Sequence, residues 1–439
     1  MADDLDIRSG GAIAVDTEAL RAVGVRLRAI GGRLQDAAQR VRRAQYLLVQ
    51  NLSQPLLAQV MGMSGSAASL DQEAAECEDD AVGTCLMADA FELVDLQARQ
   101  EMLAVRDPLA AQALQARIDA LVDSDPRLEG MSAALLEEWE DGRFEGLGQQ
   151  YWDMALSPVG GLLGLFGAGM LGLGITTVAK DLAGVRAGVI PPGTVLAGPK
   201  PPVSVAEVAR TSPASRPHGL KGLITRIPSG SNAQVRVETY VYENGSREHF
   251  VYLDGTQSPL PGDDPWDMGS NWDGYSRENF ASLEATKEAL ALAGVSGDEP
   301  LTVVTYSQGG LIGSYLAMDE TYNVTSLVTA GSPVTPILGD DQVLVQLAHT
   351  DDPVAALAGG GSAGTSGSPD GFIATREAGE GGLFSQDSPL GPHQQDRYAE
   401  TAAQADASGD VRVEGFTNGL QRLDAAVEVQ SVDYEATRP

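Results

Sequence analysis

From Asp16 onward, apolar residues fall at Leu20, Val23, Leu27, Ile30, Leu34, Ala37, Val41, Ala44 and Leu48, with spacings that alternate between three and four. That rhythm lays one stripe along one face of a helix, and Asp16 or Thr17 supplies its N-cap. Seven arginines (Arg21, Arg26, Arg28, Arg33, Arg40, Arg42 and Arg43) decorate the remaining surface. A second helical stretch is predicted over 87–122, broken or bent at Pro108. With a Gly/Ser-containing connection near 61–67, the two make a helical hairpin or bundle. The pattern changes later in the chain. Val235, Val237, Thr239 and Val241 alternate with polar residues, Asn244-Gly245 supplies a type I′ hairpin turn, and 249–253 forms the returning strand. A helix over 275–293, a strand over 301–305, a Gly-rich turn and helix over 309–318, and strands over 324–329 and 342–348 follow. Strands alternating with helices predict a mainly parallel α/β sheet.

Between these halves, 189–218 holds Pro191, Pro192, Pro199, Pro201, Pro202, Pro213 and Pro217 with little hydrophobic periodicity, and reads as a linker. The expected organisation is therefore a helical domain over 1–188, a Pro-rich linker over 189–218, and an α/β domain over 219–439. The stretch 359–371 (GGGSAGTSGSPDG) reads as a loop. The run 154–179 carries no charge and is long enough to cross a bilayer, but it is rich in glycine. It suits either membrane contact or a buried, tightly packed segment.

Composition narrows the choice of partners. The 439 residues include 29 Lys+Arg against 61 Asp+Glu, a net charge of −32, which argues against a nucleic-acid polyanion. Two cysteines, Cys77 and Cys85, are too few for a disulfide framework and have no histidine cluster nearby for zinc; one bridge between them is the remaining option. The first sixteen residues show no Sec-type leader pattern, so a cytoplasmic or membrane-associated location is expected over secretion. The acidic pairs Asp263-Asp264 and Asp340-Asp341 lack calcium-loop spacing and read as solvated surface.

The candidate chemistry lies in LTVVTYSQGGLIGSYL, residues 301–316. A buried strand enters Tyr306-Ser307-Gln308-Gly309-Gly310 and a helix leaves at once. Such a bend pushes the Ser307 hydroxyl out of the sheet edge and turns backbone amides toward a developing oxyanion. Thr305 stands where the Gly-x-Ser-x-Gly pattern has its first glycine. A serine so placed needs an acid and then a histidine later in the chain. His218 and His249 precede it, leaving His349 and His393. The Gln308 amide follows from the bend as one oxyanion donor. Thr256, with Gln257 close behind, is the expected second, in the turn YLDGTQ. Trp266, Met268, Trp272 and Tyr275 crowd the loop 265–275, either to line a substrate pocket with Tyr306 or to anchor the loop in the core.

Two resemblances add to this reading. The segment IAVDTEALRAVGVRLRAIGGRL resembles the start of the WXG100-type helical-hairpin proteins of actinobacterial type VII secretion, although the Trp-x-Gly turn is absent. That implies a helical-hairpin partner for the first domain. The YSQGG surroundings of Ser307 resemble the elbow of cutinases and PE-PPE hydrolases. The segments AGSP (330–333) and HTDDPV (349–354) are similar to fungal-type lipases of the α/β-hydrolase fold. This likeness implies an α/β-hydrolase domain acting as a serine esterase or lipase on an ester or lipid-like substrate, without cofactor or metal. The carboxylate directly before Pro-Val becomes the acid, giving Ser307, Asp352 and His393, with Asp351 the rival acid and His349 structural. The alternative is a non-catalytic hydrolase-fold scaffold or secretion-associated protein whose helices bind a partner.

Overall fold

The computed structural model describes residues 5–9, 17–51, 57–106, 108–142, 188–213, 215–358, 367–379 and 390–439. The uncharged run 154–179 and most of the loop 359–371 lie outside them. Among the described residues no helix is long and apolar enough to cross a membrane, and no cluster of three or more His, Cys, Asp or Glu is placed to hold a metal ion. The chain divides into two compact units, one built on 13–97 with 114–135, the other on 1–12, 98–113 and 136–439.

The helical unit contains α1 (Thr17–Asn51), most of α2 (Leu57–Arg106), most of α3 (Pro108–Ser124) and the start of α4 (Arg127–Gly142). Residues 61–67, expected as a connection, are helical within α2. The seam between α1 and α2 is made of small residues. Gly24, Gly31 and Ala38 are buried on α1, and Ala67, Ala74, Ala81 and Ala88 repeat every seventh residue on α2. A Cβ added at Gly24 would stand 2.6 Å from Cys85 Sγ. So close an approach turns α1 about its axis relative to the expected stripe: Leu20, Leu27, Leu34 and Val41 are half-buried, while Val23, Ile30 and Leu48 face solvent. The Cys77–Cys85 bridge, which the sequence left open, is absent. Both thiols are free, and eight residues of one helix separate them by about 12 Å, well beyond disulfide reach. Arg21 with Asp89 and Glu92, and Arg28 with Glu78, tie the two helices across the seam.

The second unit is α/β. Its main sheet uses β1 (Asp6–Ser9), β3 (Ser204–Thr211), β4 (Val235–Val241), β5 (Arg247–Leu253), β6 (Pro300–Tyr306), β7 (Asn323–Ala330), β9 (Val343–His349), β10 (Phe372–Arg376) and β11 (Glu428–Thr437). They lie in the order β1-β10-β9-β7-β6-β5-β4-β11-β3. The five strands from β10 to β5 are mutually parallel, and antiparallel strands finish both margins. Two short strands, β2 (Val189–Ile190) and β8 (Thr335–Pro336), pair separately. Both faces of the sheet are covered. One core holds Val251, Leu253, Val303 and Leu327 against α7 (Ala281–Leu292) and α8 (Gln308–Ala317). The other holds Phe250, Val304, Val328 and Val345 against α5 (Gly219–Ile224) and α9 (Gln395–Asp406). Near-continuous apolar strands such as LTVV are what a parallel strand buried on both faces requires.

Three local expectations change. The Pro-rich linker contains β3, which pairs with β11 at seven positions. As an edge strand it has one neighbour and exposes most side chains, so it carries no alternation to read. The hairpin turn is not type I′, since only Gly245 of the Asn244-Gly245 pair has positive φ. Gly245 N–H donates to Tyr242 O, and Tyr242 N–H to Ser246 O, the pattern of a type I turn closed by a glycine bulge. The helix expected over 275–293 begins only at α7, after a separate helix α6 (Met268–Tyr275) that ends where Arg277 takes φ 64°.

Candidate active site

Ser307 lies between β6 and α8 with φ 54° and ψ −121°, a conformation that costs a side-chain-bearing residue about 1–3 kcal/mol. The strain is held from both sides. Ser307 N–H donates to Ala330 O at 2.9 Å, and Ser307 O accepts from Gly310 N–H at 2.8 Å, fixing the start of the helix. Thr305 is accommodated across the helix rather than at the turn. Its hydroxyl donates to Val328 O, and its methyl faces Gly313, where a Cβ would come within 2.7 Å of it. The bulk introduced at 305 is thus absorbed one and a half turns into α8.

His393 reaches Ser307 Oγ with Nε2 at 2.8 Å and Asp352 Oδ2 with Nδ1 at 2.7 Å. Asp352 follows β9, Ser307 follows β6, and His393 immediately precedes α9, so three chain segments meet at one end of the parallel strands. Gly331, with φ +62°, leaves the space they need: a Cβ there would lie 2.8 Å from the Tyr398 ring and 3.0 Å from His393. Asp352 is fully buried. Burial alone would raise its pKa, but attraction to His393 and hydrogen bonds from His393 and Tyr398 hold the carboxyl below its usual range. Its other oxygen accepts from Val354 N–H at 2.8 Å.

Asp351 points elsewhere. It accepts from the amides of Ala378 at 3.0 Å and Gly379 at 2.9 Å, and burial pushes its pKa up to about 6. His349 is also away from Ser307, bonded through Nδ1 to Pro392 O and through Nε2 to Thr401 Oγ1, with burial lowering its pKa to about 4.

The turn after β5 borders the serine, since a Cβ at Gly255 would lie 2.9 Å from Ser307 Cβ. Gly255 N–H donates to the Asp254 side chain and Gln257 N–H to Trp266 O. Among the described residues the Thr256 N–H takes no protein acceptor, and Asn271 donates to Thr256 Oγ1 at 2.8 Å, bracing that residue. Gln308 is the first residue of α8, where amide N–H groups have no partner inside the helix.

The aromatic candidates separate. Trp266 is wholly buried with its indole N–H on Asp254 O, so it anchors the loop in the core and lines no pocket. Trp272 is 59% exposed. Tyr306 stacks on the His393 ring at 5.2 Å and donates to His393 O at 2.6 Å, so its hydroxyl is taken up by a backbone carbonyl.

Three participants had no signal in the sequence reading. Tyr398 donates to Asp352 Oδ2 at 2.6 Å, Asn271 braces Thr256, and buried Asp254, raised to about 6 by desolvation, ties the turn through Gln257 and Gly255. All three stand near residues the sequence named: Tyr398 five positions after His393, Asp254 two before Thr256, and Asn271 beside Trp272. Compared with protein-family models, curated proteins and solved structures, the chain matches none.

Proposed function

We propose that this chain is a serine hydrolase that cleaves carboxylic esters through an acyl-enzyme, on a domain of α/β-hydrolase type. The observation that carries the reading is the single imidazole of His393 hydrogen-bonded at once to Ser307 Oγ and Asp352 Oδ2. In this chemistry Ser307 Oγ attacks the ester carbonyl while its proton passes to His393 Nε2. Asp352 keeps the other ring proton on Nδ1 and stabilises the imidazolium. The amides of Gln308 and Thr256 take the oxyanion. His393 then gives the proton to the leaving alkoxide; a water, deprotonated by the same nitrogen, attacks the acyl-enzyme, and the acid is released as Ser307 Oγ takes that proton back. Strain at Ser307 and burial of Asp352 fit a group placed for reaction.

The deciding experiment is labelling of the folded protein with a fluorophosphonate, beside Ser307→Ala and His393→Ala. Labelling of the wild type alone is expected. A folded wild type that takes no label and hydrolyses no ester would overturn the reading in favour of a scaffold.

A further inference from the structure

Behind the relay lies a second set of hydrogen bonds that the reaction as written does not use. Tyr398 sits on α9, fully buried, with its ring stacked on His349 at 3.9 Å and 9°. Its hydroxyl donates to Asp352 Oδ2, the same oxygen that faces His393 Nδ1. His349 is held in turn. Arg376 Nε–H donates to Thr401 Oγ1 at 2.7 Å, Thr401 Oγ1 lies 2.7 Å from His349 Nε2, and His349 Nδ1 lies 2.6 Å from Pro392 O, the carbonyl preceding His393. A neutral His349 fits both contacts, accepting from Thr401 and donating to Pro392.

We infer that Tyr398 is a positioning residue that shares the Asp352 oxygen with His393 and thereby moderates the pull of the acid on the base. The inference rests on the hydrolase reading only for its kinetic consequence. An oxygen with two donors offers less negative charge to each than an oxygen with one. Remove the Tyr398 hydroxyl and Asp352 Oδ2 interacts with His393 alone, so the imidazolium gains stability and the base takes up its proton at higher pH. Among the described residues, the charged and titratable groups around this oxygen are these. His393 and Tyr398 face it directly, and His349 lies behind it on β9. Arg376 on β10 faces His349, with Glu400 beside the guanidinium, and Tyr306 on β6 covers His393. None of the others donates to Asp352 Oδ2.

The test compares wild type, Tyr398→Phe and Tyr306→Phe, the last losing a hydroxyl bonded to the His393 backbone carbonyl rather than to the carboxylate. Two readouts are taken. One is the pH profile of fluorophosphonate labelling or ester hydrolysis. The other is the downfield proton resonance of the His393 Nδ1–H facing Asp352, which needs no turnover. In Tyr398→Phe the acid limb should move up by roughly half a pH unit or more and the resonance should move further downfield, with neither change in Tyr306→Phe. If Tyr398→Phe does not fold, 3,5-difluorotyrosine at position 398, a stronger donor, should move both readouts the opposite way. A folded Tyr398→Phe with limb and resonance unmoved, or equal movement in Tyr306→Phe, overturns the inference. A wild type that neither labels nor hydrolyses overturns the hydrolase reading instead, and the resonance still decides the role of Tyr398.

Discussion

Replacing Asp352 with Asn tests the relay with almost no change in shape. The carboxylate accepts three hydrogen bonds, one on Oδ1 from Val354 N–H and two on Oδ2 from His393 and Tyr398. An amide has only one oxygen to offer. If that oxygen stays against Val354 N–H, the NH2 group faces His393 Nδ1, which must then accept. The ring proton moves to Nε2, 2.8 Å from Ser307 Oγ, and the base can no longer take the serine proton. If the amide flips, NH2 meets the Val354 N–H, a buried unpaired donor costing about 1–3 kcal/mol, and the negative charge opposite the imidazolium is still gone. On the proposed chemistry kcat should fall about 10⁴-fold, the scale known for this substitution in serine hydrolases, which is roughly 5–6 kcal/mol of transition-state stabilisation. KM should change little, since ground-state binding is untouched. The assay is steady-state hydrolysis of a chromogenic ester by protein whose folding is verified by circular dichroism. Asp351→Asn is the companion: its carboxyl faces the Ala378 and Gly379 amides rather than His393, so the variant should keep the rate. A folded Asp352→Asn within tenfold of wild type, or a larger loss in Asp351→Asn, would refute the assignment of the acid.

Three further outcomes are expected. Gly313→Ala should lose about 1–3 kcal/mol in urea unfolding, because its Cβ would meet the Thr305 methyl at 2.7 Å, and adding Thr305→Ala should recover part of that loss. Asp254 has a folded-state pKa raised to about 6 from 3.8, so the folded protein binds this proton more tightly and loses stability as pH rises from about 4 to 6. Asp254→Asn should therefore raise Tm relative to wild type above pH 6, with the gain fading below pH 4; a pH-independent difference would contradict the burial argument. Thiol titration of the folded protein after mild oxidation should find no Cys77–Cys85 bridge, whereas an intramolecular bridge seen by mass spectrometry would show that α2 is broken between them.

The centre of the sheet was legible because parallel strands buried on both faces leave continuous apolar runs, as in LTVV and LVQLA, and because helices separate them. Its margins were not. β3 and β11 are antiparallel strands near the edge with mixed burial, and β1 pairs with β10 across a sequence gap that no local pattern can bridge. The candidate nucleophile, acid and base could be named from short motifs and their order, and the structure brings Ser307 and Asp352 within hydrogen-bond reach of the two ring nitrogens of His393. Tyr398 and Asn271 escaped notice because their roles depend on where a hydroxyl or amide ends after packing, which residue type and spacing do not encode. Trp266 and Trp272 carry the same side chain six residues apart, yet one is core and the other surface.

The pairing of β1 with β10 bears on how this chain is made. Thr375 and Asp6 are 369 residues apart, and the whole helical unit is inserted between β1 and the rest of the sheet. As synthesis proceeds from the N-terminus, the helical hairpin can form from local contacts, while β1 waits for a partner not yet translated. Until it docks, the outer edge of β10 stays open beside β9, the strand that leads into Asp352. An open edge invites pairing with other chains. Slow or failed delivery of β1 would then appear as aggregation during expression, even where the finished protein is stable.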